Sequence, residues 1–367
     1  MVIGIDRSTS FLQHPETHAL TDAGHWDEAW VYARYANPTV AGVESKLADL
    51  EGARGSLLFS SGQAAMGAAL FASLEAGAPV AAAHELYGGT VDLLEHGLKP
   101  RGHALHRFPV GDLEQLDRAL EAGARLVLVE SLSNPAGLVA DLPQIAARVR
   151  AKGARLLVDA TFATPALQRP LELGADIVMH SGTKAISGHS DVTAGVLSTN
   201  DQDLVRALWS WRKRLGSMLD PNAAFLLERG LKTLFLRVQA KCAGACAVAA
   251  ALDGNPKLAR VHHPSLPSHP GHRLAAELLD GPGSVVTLEL KAGDEALRPF
   301  VARLQLASDA PSLGGVETLV SLPRFMSHTN LNAAERLAAG IQPGTVRLAV
   351  GIEHPNDLIA DLRRALG

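Results

Sequence analysis

The sequence predicts an α/β protein with a mostly parallel central sheet and a smaller C-terminal α/β domain. Three observations carry that expectation. From about residue 52 to residue 199, short apolar runs rich in β-branched residues alternate with helix-like stretches. This is the pattern of βαβ units, whose parallel strands are buried on both faces. A long helical region at residues 221–252 then interrupts the alternation. The last third brings further strand-like runs and a closing helix.

Taken in order, the first 30 or so residues show little periodicity and read as an arm, assigned to 1–35. A first domain is expected over 36–225 and a second over 226–367. In the first, residues 125–130, 155–160, 176–181 and 195–199 are expected strands. Residues 142–152 are the clearest helix between them, with Ile145, Ala146 and Val149 on one face. Residues 221–252 begin the crossing to the second domain, where 284–290, 316–321 and 345–350 read as strands. The last helix, 356–366, has Asn356 or Asp357 placed to cap it. There is no internal repeat and no low-complexity segment.

Composition excludes several classes. With 47% hydrophobic and 20% charged residues the chain is ordinary for a globular protein, and a net charge of −4 gives no basic surface for nucleic acid. No apolar run approaches the roughly 20 residues of a membrane helix, and the N-terminus lacks signal-peptide regions. The two cysteines, Cys242 and Cys246, lie in an Ala-rich helical stretch. A disulfide framework is not expected, and a reducing cytoplasm is. His262, His263, His269 and His272 cluster in sequence, but three prolines interrupt them and no carboxylate or thiol stands at ligand spacing. No metal site is expected.

The chemistry concentrates in Val158-Asp-Ala-Thr-Phe-Ala-Thr-Pro165 and His180-Ser-Gly-Thr-Lys-Ala-Ile-Ser-Gly-His-Ser-Asp191. An acid at one strand end, Asp159, precedes by 25 residues a lysine, Lys184, at the end of a later strand, flanked by the hydroxyls of Ser181 and Thr183. A Schiff-base cofactor needs this set: an amine to carry it, a carboxylate to keep its ring nitrogen protonated, and donors for a phosphate. In open α/β sheets ligands bind outside the carboxyl ends of the strands, where these residues and Glu130 to Asn134 fall.

These segments resemble the cofactor-lysine signature of the cystathionine γ-synthase-like family, the Cys/Met-metabolism enzymes that use pyridoxal 5'-phosphate (PLP). The resemblance runs over nearly the whole chain, through Tyr32-Ala-Arg-Tyr-Ala-Asn-Pro-Thr39, Phe59-Ser-Ser-Gly-Gln-Ala-Ala65, Tyr87-Gly-Gly-Thr90, Glu130-Ser-Leu-Ser-Asn-Pro135, Arg229-Gly-Leu-Lys-Thr-Leu234, Ser312-Leu-Gly-Gly315 and Val346-Arg-Leu-Ala-Val-Gly-Ile-Glu353, in the family's order. It implies the PLP-dependent transferase fold type I, with 36–225 as the cofactor domain. It implies γ-elimination or γ-replacement on cystathionine or an O-acylhomoserine, with methionine γ-lyase, O-acylhomoserine sulfhydrylase and cystathionine β-lyase activities as alternatives. It also implies roles. Lys184 carries the cofactor and Asp159 pairs with its ring nitrogen, with Thr161 alongside. Ser61, Gly62, Gln63, Ser181 and Thr183 hold the phosphate. Tyr87 stacks on the ring and serves as acid or base. Asn134 bonds the ring oxygen beside the substrate. Arg347, helped by Ser312, clamps the substrate carboxylate. Tyr32 and Arg34 resemble the pair that reaches into a neighbouring subunit's phosphate site, which implies a homodimer or homotetramer with shared sites.

Three positions depart from the cystathionine-processing pattern: Asp92 and Tyr35 stand where arginines are common, and Pro311 where glutamate is. All three are expected at the substrate's distal end, where Asp92 would repel a carboxylate. Gly89 lacks the cysteine typical of methionine γ-lyases.

Overall fold

The computed structural model describes residues 3–326 and 332–367; residues 1 and 2 of the expected arm lie outside them. The arm is not wholly irregular, since it carries helix α1 (Pro15–Asp22). Helix α2 (Pro38–Glu51) follows, started by Asn37, whose side chain accepts from the N–H of Thr39 and Val40. Then come β1 (Gly55–Phe59), α3 (Gly62–Ser73), β2 (Val80–Ala83), α4 (Gly88–Asp92), β3 (Leu105–Phe108), α5 (Leu113–Glu121), β4 (Leu126–Glu130), α6 (Leu142–Ala151), β5 (Arg155–Asp159), α7 (Thr164–Leu167), β6 (Ile177–Ser181) and β7 (Gly195–Thr199). Asp112 and Asp141 cap α5 and α6 with side-chain oxygens.

These strands form one seven-stranded sheet in the order β1-β7-β6-β5-β4-β2-β3. β3, β2, β4, β5 and β6 run parallel, while β7 is antiparallel to both its neighbours. Every residue of β2, β4 and β7 is buried, as parallel strands covered on both faces must be. Glu130 and Asp159 are register partners at the carboxyl ends of β4 and β5, and Ser181 ends β6. Gly195, at the start of the reversed strand β7, pairs with both Phe59 and Ser181, so four loops converge at one sheet edge.

The expected helical region 221–252 is two helices after α8 (Gln202–Leu215): α9 (Pro221–Leu231) and α10 (Leu234–Leu252). Asp220 caps the first. α10 has the length and composition to cross a membrane, but it lies on the second sheet with Arg237 and Lys241 buried along it. That sheet contains β8 (Leu258–His262), β9 (Val285–Leu290), β10 (Ser308–Asp309), β11 (Leu319–Ser321) and β12 (Thr345–Ala349), in the order β10-β11-β12-β9-β8. Helices α11 (His272–Leu278), α12 (Leu297–Ala302), α13 (Ala333–Ala338) and α14 (Pro355–Leu366) complete the chain. Each sheet has its own apolar cluster.

Two local expectations are corrected. The cap of α14 is His354, whose side chain accepts from Asn356 N–H at 3.3 Å. Pro355 occupies the first helical position, where its missing N–H costs nothing, and this moves the cap back. The strand expected over 316–321 shortens to β11, because the Val316 carbonyl is taken by Ile352 N–H outside the ladder.

Candidate active site

Most of the chemistry-bearing residues meet in one cavity of about 690 Å3 at the carboxyl edge of the large sheet. Its lining includes Ser61, Gly62, Gln63, Tyr87, Asn134, Asp159, Thr161, Ser181, Thr183, Lys184, Ser312 and Arg347. The large sheet supplies all but the last two, which come from the loop before β11 and from the middle of β12.

The first wall is the turn from β1 into α3. Ser61 caps α3, its hydroxyl accepting from Ala64 N–H at 3.1 Å. A Cβ at Gly62 would lie 3.0 Å from Ser181 Cβ and 3.1 Å from its Oγ, so glycine lets the helix start close on the β6 end without displacing Ser181. The result is a helix N-terminus beside a hydroxyl, an arrangement that favours an anion. Thr183, expected at the phosphate, lines the cavity. Its hydroxyl donates to Ala194 O at 3.2 Å and accepts from Ala194 N–H at 2.9 Å, so it pins the lysine turn to the approach to β7.

The floor is acidic. Asp159 Oδ1 accepts from Thr161 N–H at 3.0 Å and from its hydroxyl at 2.5 Å. Thr161 Oγ1 also accepts from Ser181 N–H at 2.9 Å, so it joins the ends of β5 and β6. Burial pushes the Asp159 carboxyl above its ordinary 3.8, against the bonds from Thr161 and the charge of His180. A cationic ring nitrogen beside it would favour the ionised form. Behind it, His180 Nε2 lies 2.5 Å from Glu51 Oε1, both fully buried. Desolvation works against the imidazolium, but Glu51 and then Asp159 raise the His180 pKa above its ordinary value.

Lys184 Nζ donates to Ser312 Oγ at 2.8 Å. Burial, then the nearby charge of Arg347, lowers the amine to about 8, where an appreciable fraction is neutral and nucleophilic near physiological pH. Ser312 adopts a left-handed φ of 96°, and its carbonyl accepts from Arg347 Nη2 at 2.7 Å. Arg347 Nη1 donates to Asn134 Oδ1 at 3.1 Å, while Nε is buried without a partner among the described residues. Burial lowers this guanidinium to about 10, so it remains charged at neutral pH. A buried, charged fork with an unused donor suits a carboxylate.

Glu130 was not singled out from sequence as a site residue, although it stands inside a quoted motif. Its Oε1 accepts from Tyr87 N–H at 2.6 Å and its Oε2 from Asn134 N–H at 3.0 Å. One buried carboxylate thus positions both the Tyr87 loop and the Asn134–Arg347 contact. Burial and the adjacent Asp159 push its pKa well up. The cavity also takes in Leu132, Phe162, Leu313 and Met326, which carried no sequence signal because apolar residues are common everywhere.

Four expected positions lie elsewhere. Tyr32 is 43% exposed and Arg34 donates to Lys213 O at 3.3 Å; neither lines the cavity of its own chain. Tyr35 packs against Trp26 and Trp209 and does not line the cavity of its own chain. The Asp92 side chain is 51% exposed, 3.9 Å from His96 Nε2 on its own helical turn, and does not line the cavity. The expectation that it faces the distal substrate group is therefore corrected: the helical turn directs it outward. Pro311 does line the cavity. The histidine cluster is spent on protein contacts, His262 on Glu289, His263 on Ser265, His269 on Ala136 O and His272 on Pro264 O.

The donor set fits a phosphorylated pyridine aldehyde: an amine of lowered pKa, a carboxylate for the ring nitrogen, and a helix start closed by Gly62 for the phosphate. Comparison with known proteins points the same way. The family described as Cys/Met metabolism PLP-dependent enzyme matches residues 1–367. The L-methionine gamma-lyase of Pseudomonas putida is 40% identical over 346 residues, covering 94% of this chain and 85% of that protein. The cystathionine beta-lyase of Lactococcus lactis subsp. cremoris is 37% identical over 368 residues, 99% of this chain and 96% of that protein. The crystal structure of cystathionine gamma synthase from Xanthomonas oryzae pv. oryzae in complex with cystathionine has a TM-score of 0.94 at 38% identity, covering 100% of this chain and 92% of that one. The chain belongs to the Cys/Met metabolism PLP-dependent enzymes, and its cofactor is pyridoxal phosphate.

Proposed function

We propose that the enzyme catalyses elimination or replacement at the γ-carbon of a four-carbon amino acid bearing a thioether or an O-acyl group, of the cystathionine γ-lyase or γ-synthase type. The observation that carries this is the placement of Lys184 Nζ, through Ser312, next to the carboxylate receptor Arg347. When bound, pyridoxal phosphate supplies an electron sink that stabilises negative charge next to the substrate nitrogen. Arg347, steadied by Asn134 and Ser312, holds the α-carboxylate and so fixes which bond at the α-carbon meets Lys184. Lys184, with its lowered pKa, takes the α-proton and returns a proton further along the chain. Tyr87, 45% exposed at the rim, sits where it can stack and exchange protons. Asp159 keeps the ring nitrogen protonated.

The site is completed by Tyr32 and Arg34 of a second copy of the chain, which favours a homodimer or larger homo-oligomer. Their placement on the arm, away from the cavity of their own chain, supports this. The chain is organised as an arm over 1–35, a cofactor domain over 36–225 and a C-terminal domain over 226–367. Separate apolar clusters under the two sheets favour that division.

A second reading, a methionine γ-lyase type of activity, is favoured by the apolar residues Leu132, Phe162, Pro311, Leu313 and Met326 on the cavity wall. Among the described lining residues the cations are Lys184 and Arg347, both engaged at the amino-acid end. Uncharged distal groups are therefore preferred: S-alkyl thioethers and O-acetyl esters over succinyl esters. The test is a substrate panel with products scored by mass. Release of 2-oxobutanoate, or a new thioether when a thiol is supplied, is expected from C4 substrates. Pyruvate as the sole oxo acid, or no product from any C4 substrate, overturns the reading.

A further inference from the structure

The backbone just after Lys184 is gripped by a buried cation. Arg237, on the first turn of α10, is 6% exposed. Its Nη1 donates to Ala185 O at 2.7 Å, and its Nη2 to Ile186 O at 3.3 Å and Gly230 O at 2.7 Å. Its Nε donates to Thr233 Oγ1 at 3.0 Å. Residues 181–188 form a tight turn in which Lys184 N–H donates to Ser181 O, Ser187 N–H to Gly182 O and Gly188 N–H to Lys184 O. The carbonyls of Ala185 and Ile186 leave the end of this turn without a helix to enter. End-of-turn carbonyls need donors, and a cation suits them best.

A second feature makes room for that cation. Gly188 has a φ of +71°, and a Cβ built there would lie 1.8 Å from Arg237 Nη1 and 2.3 Å from its Cζ. Any side chain at position 188 expels the guanidinium. The glycine and the arginine form one device, 49 residues apart in sequence.

We infer that Arg237, admitted by Gly188, is a positioning residue for Lys184: it anchors the main chain behind the lysine while Ser312 receives the amine in front. This rests on reading Lys184 as the cofactor lysine. A planar fork that bonds adjacent carbonyls fixes the turn in a way a single ammonium does not.

The test compares Arg237→Met, Arg237→Lys, Gly188→Ala and the Gly188→Ala/Arg237→Met double variant. In the full-length protein freed of cofactor, the pH dependence of Lys184 acylation is followed on its peptide by mass. With cofactor present, kcat, KM and the pH midpoint of the near-visible band are measured. Expected for Arg237→Met is a shifted acylation midpoint and a kcat about tenfold or more below wild type, with KM changed far less. Arg237→Lys recovers part of both. Gly188→Ala shifts both readouts in the direction of Arg237→Met, with an added cost from a side chain at a φ of +71°, and the double variant is no worse than Gly188→Ala alone, because both remove the same contact. If Arg237→Met does not fold, Arg237→Lys and Gly188→Ala carry the comparison. Wild-type acylation midpoints in the variants that fold, or additive losses in the double variant, overturn the inference. Borohydride fixation of the cofactor on a peptide other than that of Lys184 would instead defeat the reading on which it rests.

Discussion

Replacing Lys241 by methionine should stabilise the protein below pH 8 and lose that advantage as pH rises. Lys241 lies one turn beyond Arg237, is 1% exposed, and its Nζ has no hydrogen-bond partner among the described residues. Burial, and then the charge of Arg237, lowers the amine from 10.5 to about 8, with Glu317 and Glu353 pulling the other way. Between those two values the unfolded chain holds a proton that the folded chain has released. The cost of the buried ammonium is therefore full below about pH 8 and is relieved as pH climbs towards 10.5. The separation corresponds to about 3 kcal/mol at about 1.4 kcal/mol per pKa unit. Methionine follows the same unbranched path without a charge and fills the space of the stem. Urea denaturation of wild type and Lys241→Met at pH 6.5, 8 and 9.5 reads the difference directly. A gain of up to about 3 kcal/mol at pH 6.5, shrinking at 9.5, is expected. A variant less stable than wild type at pH 6.5, or a gain that does not change with pH, refutes the reasoning.

Glu130→Gln should be costly despite its similar shape. An amide has one acceptor oxygen for the two N–H donors of Tyr87 and Asn134, and its NH2 would face the other donor. Leaving one of these buried donors unpaired costs about 1–3 kcal/mol, so kcat/KM should fall by about 10- to 100-fold; a value within twofold of wild type would remove Glu130 from the site's support. The shared site is tested by mixing inactive Arg34→Ala and Lys184→Ala proteins under conditions that let subunits exchange. One hybrid site then has both good residues, and partial recovery of activity is expected; none, despite exchange shown by mass, argues for self-contained sites.

The legible part of this protein was what local sequence physics controls. Alternation of β-branched runs with helical stretches dictates a largely parallel sheet, because strands buried on both faces must be apolar throughout. That leaves the strand ends as the place for Asp159, Ser181 and Lys184, whose residue types advertise the chemistry. What only the tertiary structure decided was which polar atoms meet. Ser312 reaches Lys184, Arg347 reaches Asn134, and Arg237 reaches Ala185 across separations of 128, 213 and 52 residues. A hydrogen bond is satisfied within about 3 Å, and sequence order alone does not set such distances. The Thr183 hydroxyl is held by Ala194 across 11 residues, and Asp92 had the telling charge but points away along its helical turn. Residue type stated what each side chain was able to do. The packing of two sheets, around a glycine too small to keep a guanidinium out, decided which of them do it together.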